Sequence, residues 1–258
     1  MMNEEGFESV EKFRNVHKGK TGFVLGAGYS LTECDINSVI KKGISFSCNS
    51  SIVSIDECDY FSFTDGVIPY FEFYKKAARV AKNLIFAGKG IDLKFYYEDI
   101  NAYNQNIEFK AKKHLINRRY GGINFNLNTD INAASFDYVD GLLIDGTDVC
   151  HSATHLAHIC GCNPIILIGV DLNYKGSERY HKSLSDPEML QYENSPYKYM
   201  DDIKYFGREN NSDSHLMDSY TAWQKIKTSN PNINIKNANP NGLLANIFET
   251  INIKEYES

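Results

Sequence analysis

Gly22-Phe23-Val24-Leu25-Gly26-Ala27-Gly28-Tyr29-Ser30-Leu31 runs from a short apolar stretch directly into a glycine-rich turn. That is the pattern of a buried strand ending in a tight connection. We read it as the first and central strand of a sheet. Further strand-like runs are Ile44 to Cys48, Tyr60 to Phe63, Asn83 to Ala87, Gly141 to Ile144, Pro164 to Ile168 and Ile233 to Lys236. Helical patterns cover Tyr70 to Lys82, His151 to Cys160 and Ser214 to Thr228. Strands alternating with helices imply crossover units, so the expected fold is α/β, with a doubly wound, mainly parallel, Rossmann-like sheet. In such sheets ligands bind beyond the carboxyl ends of the strands, which directs attention to the residues that follow each strand.

The 258 residues, 42% hydrophobic and 23% charged, suit one large domain spanning 1–258. Asn173 to Asp213 interrupts the alternation. It is polar, has no sustained period, and holds Tyr174, Tyr180, Tyr192, Tyr197, Tyr199 and Tyr205. A loop of that length in a compact domain is usually either functional or disordered, and of the two we expect an aromatic-rich, substrate-binding lid at about 173–213.

A net charge of −6 argues against nucleic acid as a partner, because phosphate binding needs a concentrated basic face. Lys110, Lys112, Lys113, Arg118 and Arg119 read as a solvated face. The six cysteines show no paired Cys-x-x-Cys spacing, so reduced thiols are expected. The acidic start lacks an apolar signal, and no stretch approaches the ~20 apolar residues of a spanning helix. The expected location is the cytoplasm, with room for peripheral contact with the inner membrane.

Gly26 and Gly28 can bring backbone amides close to a phosphate. The dinucleotide fingerprint wants a third glycine at position 31, where this chain has Leu31, which disfavours a nicotinamide site. Asn49 and Asp65 each follow a strand-like run and read either as loop caps or as ligand contacts. Asp171 closes the run Ile165 to Val170, where an acid could support the loop, orient backbone amides, bind a ribose or hold a metal. His151, His155 and His158 share one helical face, but a helix packed on a sheet explains that spacing, and no metal site is expected. His215, at the junction of the lid with a helix carrying Trp223, could accept a proton from a substrate hydroxyl.

Four segments, taken in order, resemble the small bacterial lipooligosaccharide sialyltransferases: Gly26 to Leu31, Cys48-Asn49, Gly169-Val170-Asp171, and Pro240-Asn241-Gly242-Leu243-Leu244-Ala245-Asn246. The resemblance spans about Gly22 to Glu249 and is closest in these islands. It implies transfer of a sugar from a CMP-activated donor to a hydroxyl of a glycan or lipooligosaccharide acceptor, with no separate cofactor. It carries the general-base role to His215 and leaving-phosphate stabilisation to Tyr180, with Tyr174 beside it. The implied donor-binding set is Gly26, Ala27, Gly28, Ser30, Asn49, Asp65, Thr147, Asp148, Asp171 and Asn173. Ala27 stands where that family has a donor-binding asparagine, and Asn173 where it has the first of two tyrosines. The family forms oligomers, which implies a homo-oligomer here. A second resemblance, to the hydroxymethylpterin diphosphokinase-like family, rests on the Gly-x-Gly-x-Ser-Leu turn and the Gly-x-Asp segment. It would instead employ Asp65, Asp145, Asp148 and Asp171 around Mg²⁺ bound to ATP. A non-catalytic nucleotide or sugar binder is the third class.

Overall fold

The computed structural model describes residues 8–64, 68–88, 107–119, 134–137, 140–144, 146, 148–173 and 212–257, with backbone alone at position 70 and at 212–216. One eight-stranded sheet, with every pair parallel, organises these residues. Its strands are β1 (Gly22–Leu25), β2 (Ile44–Cys48), β3 (Cys58–Phe63), β4 (Ala81–Gly88), β5 (Lys112–Asn117), β6 (Ile165–Ile168), β7 (Ile235–Asn237) and β8 (Glu249–Thr250). Across the sheet the order is β5-β4-β3-β2-β1-β6-β7-β8. The chain winds outward from β1 in one direction and then restarts at β6 on the other side of β1.

Both faces of the sheet are covered, which is why the central strands read as continuous apolar runs and not as alternating ones. Phe23 and Leu25 of β1 point to one core with Ile166 and Ile168 of β6, and Val24 points to the other with Ile165 and Leu167. The first core is closed by α1 (Ile36–Ile40), through Ile36, Val39 and Ile40, and by α2 (Glu72–Val80), through Phe73, Tyr74 and Ala77. The second is closed by α3 (Val149–Ile159) and α4 (Ser212–Ser229). Ala153 and Ala157 are small residues one turn apart on α3, and Ala222, Trp223 and Ile226 come from α4. The doubly wound, parallel α/β architecture is thus the one expected from the sequence. No described helix is long and apolar enough to cross a membrane.

Three readings need correction. Gly141 to Ile144 is not a strand; it contributes a single bridge, Leu143 to Arg118, and its buried Ile144 amide donates to His155 Nδ1 at 3.1 Å. Lys112 and Lys113 are exposed but belong to β5, a strand whose alternate residues His114 and Ile116 are buried. Arg119 is not solvated: it is 5% exposed, donates to Asp140 at 2.7 Å and reaches the Ser135 carbonyl at 2.8 Å. A buried guanidinium is tolerated only with such pairing.

Candidate functional site

The point where the strand order reverses lies between β1 and β6, and in open parallel sheets the crevice there is the usual ligand site. A cleft opens at this point. Gly26, Ala27 and Gly28 line it from the end of β1, Cys48 and Asn49 from β2, and Gly169 to Asn173 from β6. Asp148, Val149 and Cys150 at the start of α3, and Ser219 on α4, complete the wall.

The two glycine turns interlock. Gly26 N donates to the Ile168 carbonyl at 2.8 Å, and Gly28 N to that of Gly169 at 2.7 Å. A Cβ on Gly26 would sit 2.4 Å from the Gly169 oxygen, and one on Gly28 would sit 2.4 Å from Asp171 Oδ2. Glycine is therefore required by close approach. The sequence-based reason, amides left to cradle a phosphate, does not hold for these two residues, whose N–H groups are already spent on carbonyls.

Asp171 is the hub of the site. It is 2% exposed and accepts from Ser30 N at 2.9 Å, from the Ser30 hydroxyl, and from Asn239 Nδ2 at 2.8 Å. Burial pushes its carboxyl above the ordinary carboxylate value, and the Ser30 and Asn239 donors oppose that shift. Of the roles open to it from sequence, orienting a backbone amide is the one seen, and the Ser30 hydroxyl is engaged with it. The segment after β7 closes over this hub. Leu243 N donates to the Asp171 carbonyl at 3.0 Å, and Asn241 N to Asn239 Oδ1 at 2.9 Å. Asn239 Nδ2 also lies 3.2 Å from the Tyr29 hydroxyl, and Asn173 Nδ2 donates to the Asn241 carbonyl at 2.8 Å.

Asp148 is the N-cap of α3. Its carboxylate accepts from Cys150 N at 2.8 Å and from the Ser219 hydroxyl, which ties α3 to α4. Asn49 differs from its neighbours. Its backbone is left-handed at φ 48, which asparagine tolerates better than most residues, and its buried Oδ1 has no hydrogen-bond partner among the described residues. An unsatisfied buried acceptor costs about 1–3 kcal/mol, a cost that a bound donor removes.

The three helical histidines serve the fold. His155 Nε2 lies 3.2 Å from the Phe136 carbonyl, His158 Nε2 lies 3.1 Å from Asp137 Oδ1, and the His151 ring packs against Trp223 at 4.5 Å. Among the described residues no His, Cys, Asp and Glu group could hold a metal ion.

The structure therefore brings Gly26, Ala27, Gly28, Asn49, Asp148, Asp171 and Asn173 to one cleft, with Ser30 just behind it. Asp65, Asp145, Thr147, Tyr174 and Tyr180, and with them the lid from 174 to 211, lie outside the described residues. So does the His215 side chain, although its backbone belongs to α4, one turn before Ser219. Sequence reasoning missed Ser219 and Asn239. The available signal for Asn239 was Asn237-Ala238-Asn239-Pro240-Asn241, a polar turn leaving β7 at the same end of the sheet.

No protein-family model matches the chain, and no curated protein sequence matches it. Among solved structures it is similar to the sialyltransferase CST-II in complex with a trisaccharide acceptor and CMP, with 14% identity over 91% of this chain and 87% of that one and a TM-score of 0.47. It is similar to the monofunctional α-2,3-sialyltransferase Cst-I from Campylobacter jejuni, with 16% identity over 92% and 82% of the two chains and a TM-score of 0.49. It is also similar to the MAf glycosyltransferase from Magnetospirillum magneticum AMB-1, with 13% identity over 98% of this chain and 39% of that one and a TM-score of 0.48.

Proposed function

We propose that the chain is a glycosyltransferase that moves sialic acid or a related sugar from a CMP-activated donor to a hydroxyl of a glycan acceptor. The observation that carries this reading is convergence. The four segments that resemble the sialyltransferases, scattered from Gly26 to Asn246, meet around one cleft at the switch point of the sheet.

In this reading the nucleotide occupies the cleft, and Asn49 Oδ1 accepts a hydrogen bond from it. Asp171, in the cleft wall, holds the two glycine turns and the segment after β7 in place around the donor. The resemblance to the sialyltransferases assigns the general-base role to His215, on the helix that also brings Ser219 to the cleft. Its imidazole takes the acceptor proton as the acceptor oxygen bonds to the anomeric carbon and the bond from that carbon to the CMP phosphate breaks. Tyr180, with Tyr174, donates to the departing phosphate, and the lid excludes the water that would otherwise hydrolyse the donor.

The diphosphokinase reading is the weaker one. Asp148 and Asp171 already accept hydrogen bonds from helix, hydroxyl and amide donors, which leaves them poorly placed to gather Mg²⁺. The test is His215→Ala assayed with a CMP-sugar and a glycan acceptor. Transfer falls by a factor on the order of 10²–10⁴ while CMP affinity is retained. Unchanged turnover would remove His215 from the mechanism.

A further inference from the structure

We propose that the face at the amino ends of β1 and β2, at the pole opposite the cleft, docks onto an anionic phospholipid bilayer. Lys18, Lys20, Lys41 and Lys42 meet the headgroups, and Val16 enters the boundary with the acyl chains.

The segment from Asn15 to Lys20 is held from behind, with Asn15 N, His17 N and Gly19 N donating to the carbonyls of Ile159, Cys160 and Gly161, each at 2.8 Å. Alternate residues are left to solvent. His17 Nε2 lies 2.9 Å from the Tyr60 hydroxyl, whereas Val16, Lys18 and Lys20 are exposed. Val16 is 50% exposed, and among the described residues only Met217 is another exposed large hydrophobic residue. Lys41 and Lys42, also exposed, stand alongside. They lead into β2 as Lys20 leads into β1, Gly22 pairs with Ile44, and Ile44 N donates to the Thr21 carbonyl at 2.9 Å. The carboxylates nearby are engaged: Glu11 accepts from Arg14, and Asp59 pairs with Lys82 at 2.8 Å. The exposed acids Asp56 and Glu57 precede β3 and bound the face on that side.

Helix dipoles account poorly for these cations, because the last carbonyls of α3 already accept the amides above, and α1, which Lys41 follows, is only five residues long. A bilayer suits the face better than a nucleic acid does. Valine offers nothing to a phosphate or a base edge but gains by entering the interface, and mobile headgroups meet lysines at any spacing. Each lysine near an anionic leaflet strengthens binding about fivefold, so four give a preference of several hundredfold over a neutral bilayer. The net charge of −6 opposes docking by the rest of the surface, which orients the chain. The cleft, at the carboxyl ends of the strands, then faces away from the bilayer and stays open to solvent.

The experiment co-sediments the full chain with vesicles of phosphatidylcholine alone, or with about 30% phosphatidylglycerol added, in about 0.05 M and about 0.5 M NaCl. The expected result is binding to the anionic vesicles only, lost at the higher salt. Lys18→Gln, Lys20→Gln and Lys41→Gln combined weaken it about 100-fold with Tm unchanged. Lys112→Gln with Lys113→Gln, on the far edge strand β5, leaves it within about twofold. No binding to either vesicle, equal binding to both, unchanged affinity in the triple variant, or an equal loss in the β5 variant overturns the assignment. So does tighter capture of a duplex oligonucleotide than of the anionic vesicles. Neither nucleotide nor acceptor enters the assay, so it stands or fails separately from the proposed function.

Discussion

Replacing Asp171 tests the claim that it organises the site. In Asp171→Asn one amide group takes the place of one carboxylate oxygen and can no longer accept there. With the amide at the Oδ2 position it faces the Ser30 N–H; at the Oδ1 position it faces Asn239 Nδ2. Either way a buried donor meets a donor, and hydrogen bonds to a charged group are worth about 1.5–3 kcal/mol each. Loss of the buried charge offsets part of this, which leaves a cost of about 2 kcal/mol. Asp171→Ala removes all three acceptor contacts and should cost roughly 4 kcal/mol. For a chain of this size each kcal/mol lowers Tm by about 2–4 °C, so the expected drops are about 4–8 °C and about 8–16 °C, read by scanning calorimetry. The pH dependence supplies a second readout. Burial raises the folded-state pKa of Asp171, and a raised carboxyl pKa contributes stability that is present below the unfolded-state value and lost as pH rises through the folded-state value. The advantage of the wild-type carboxylate over the Asp171→Asn variant therefore widens as pH falls from neutral. An Asp171→Asn protein within about 1 °C of wild type, or a gap that narrows on acidification, would refute the role argued for this carboxylate.

Asn49→Gly separates binding from folding, because glycine accepts φ 48 without strain but has no acceptor. CMP affinity measured by calorimetry should fall about 5–10-fold with Tm changed by less than about 2 °C. Stability should also decline as pH drops below about 6.5, since His155 is held well below its ordinary pKa by burial, as His114 and His17 are to a lesser degree. Neutral imidazole favours the native state above the unfolded value, and that stabilisation is lost as the unfolded chain takes up protons, at up to about 1.4 kcal/mol per pH unit for each group. Urea unfolding at pH 7 and pH 5.5 that gives equal stabilities would contradict it.

The fold was legible where burial on both faces produced unbroken apolar runs, and β1 and β2 have the bounds read from sequence. β5 escaped notice because Lys112 and Lys113 open it and one of its two buried positions is His114, so only Leu115-Ile116 reads as apolar. β8 is two residues long and exposed, too short for any pattern to register. α2 gives way to β4 at Ala81 with no turn residue between them, so the helical reading ran on to Lys82. At the site, the glycine turns and Asp171 announced themselves by following buried strands. What sequence could not convey is that Asp171 is satisfied by Ser30 and Asn239, residues far away in the chain, or that Ser219 reaches Asp148 across two helices. Those contacts depend on tertiary packing, which a local pattern does not encode.

The most direct test of the account is a thermal-shift and calorimetric panel of CMP, UMP, GDP, ADP, and ATP with Mg²⁺. A ligand at about 100 times its Kd stabilises the native state by about 2.7 kcal/mol, which corresponds to about 5–10 °C in Tm. The account predicts that CMP produces such a shift selectively. A shift with ATP and Mg²⁺ and none with CMP would contradict it and transfer the assignment to phosphoryl chemistry.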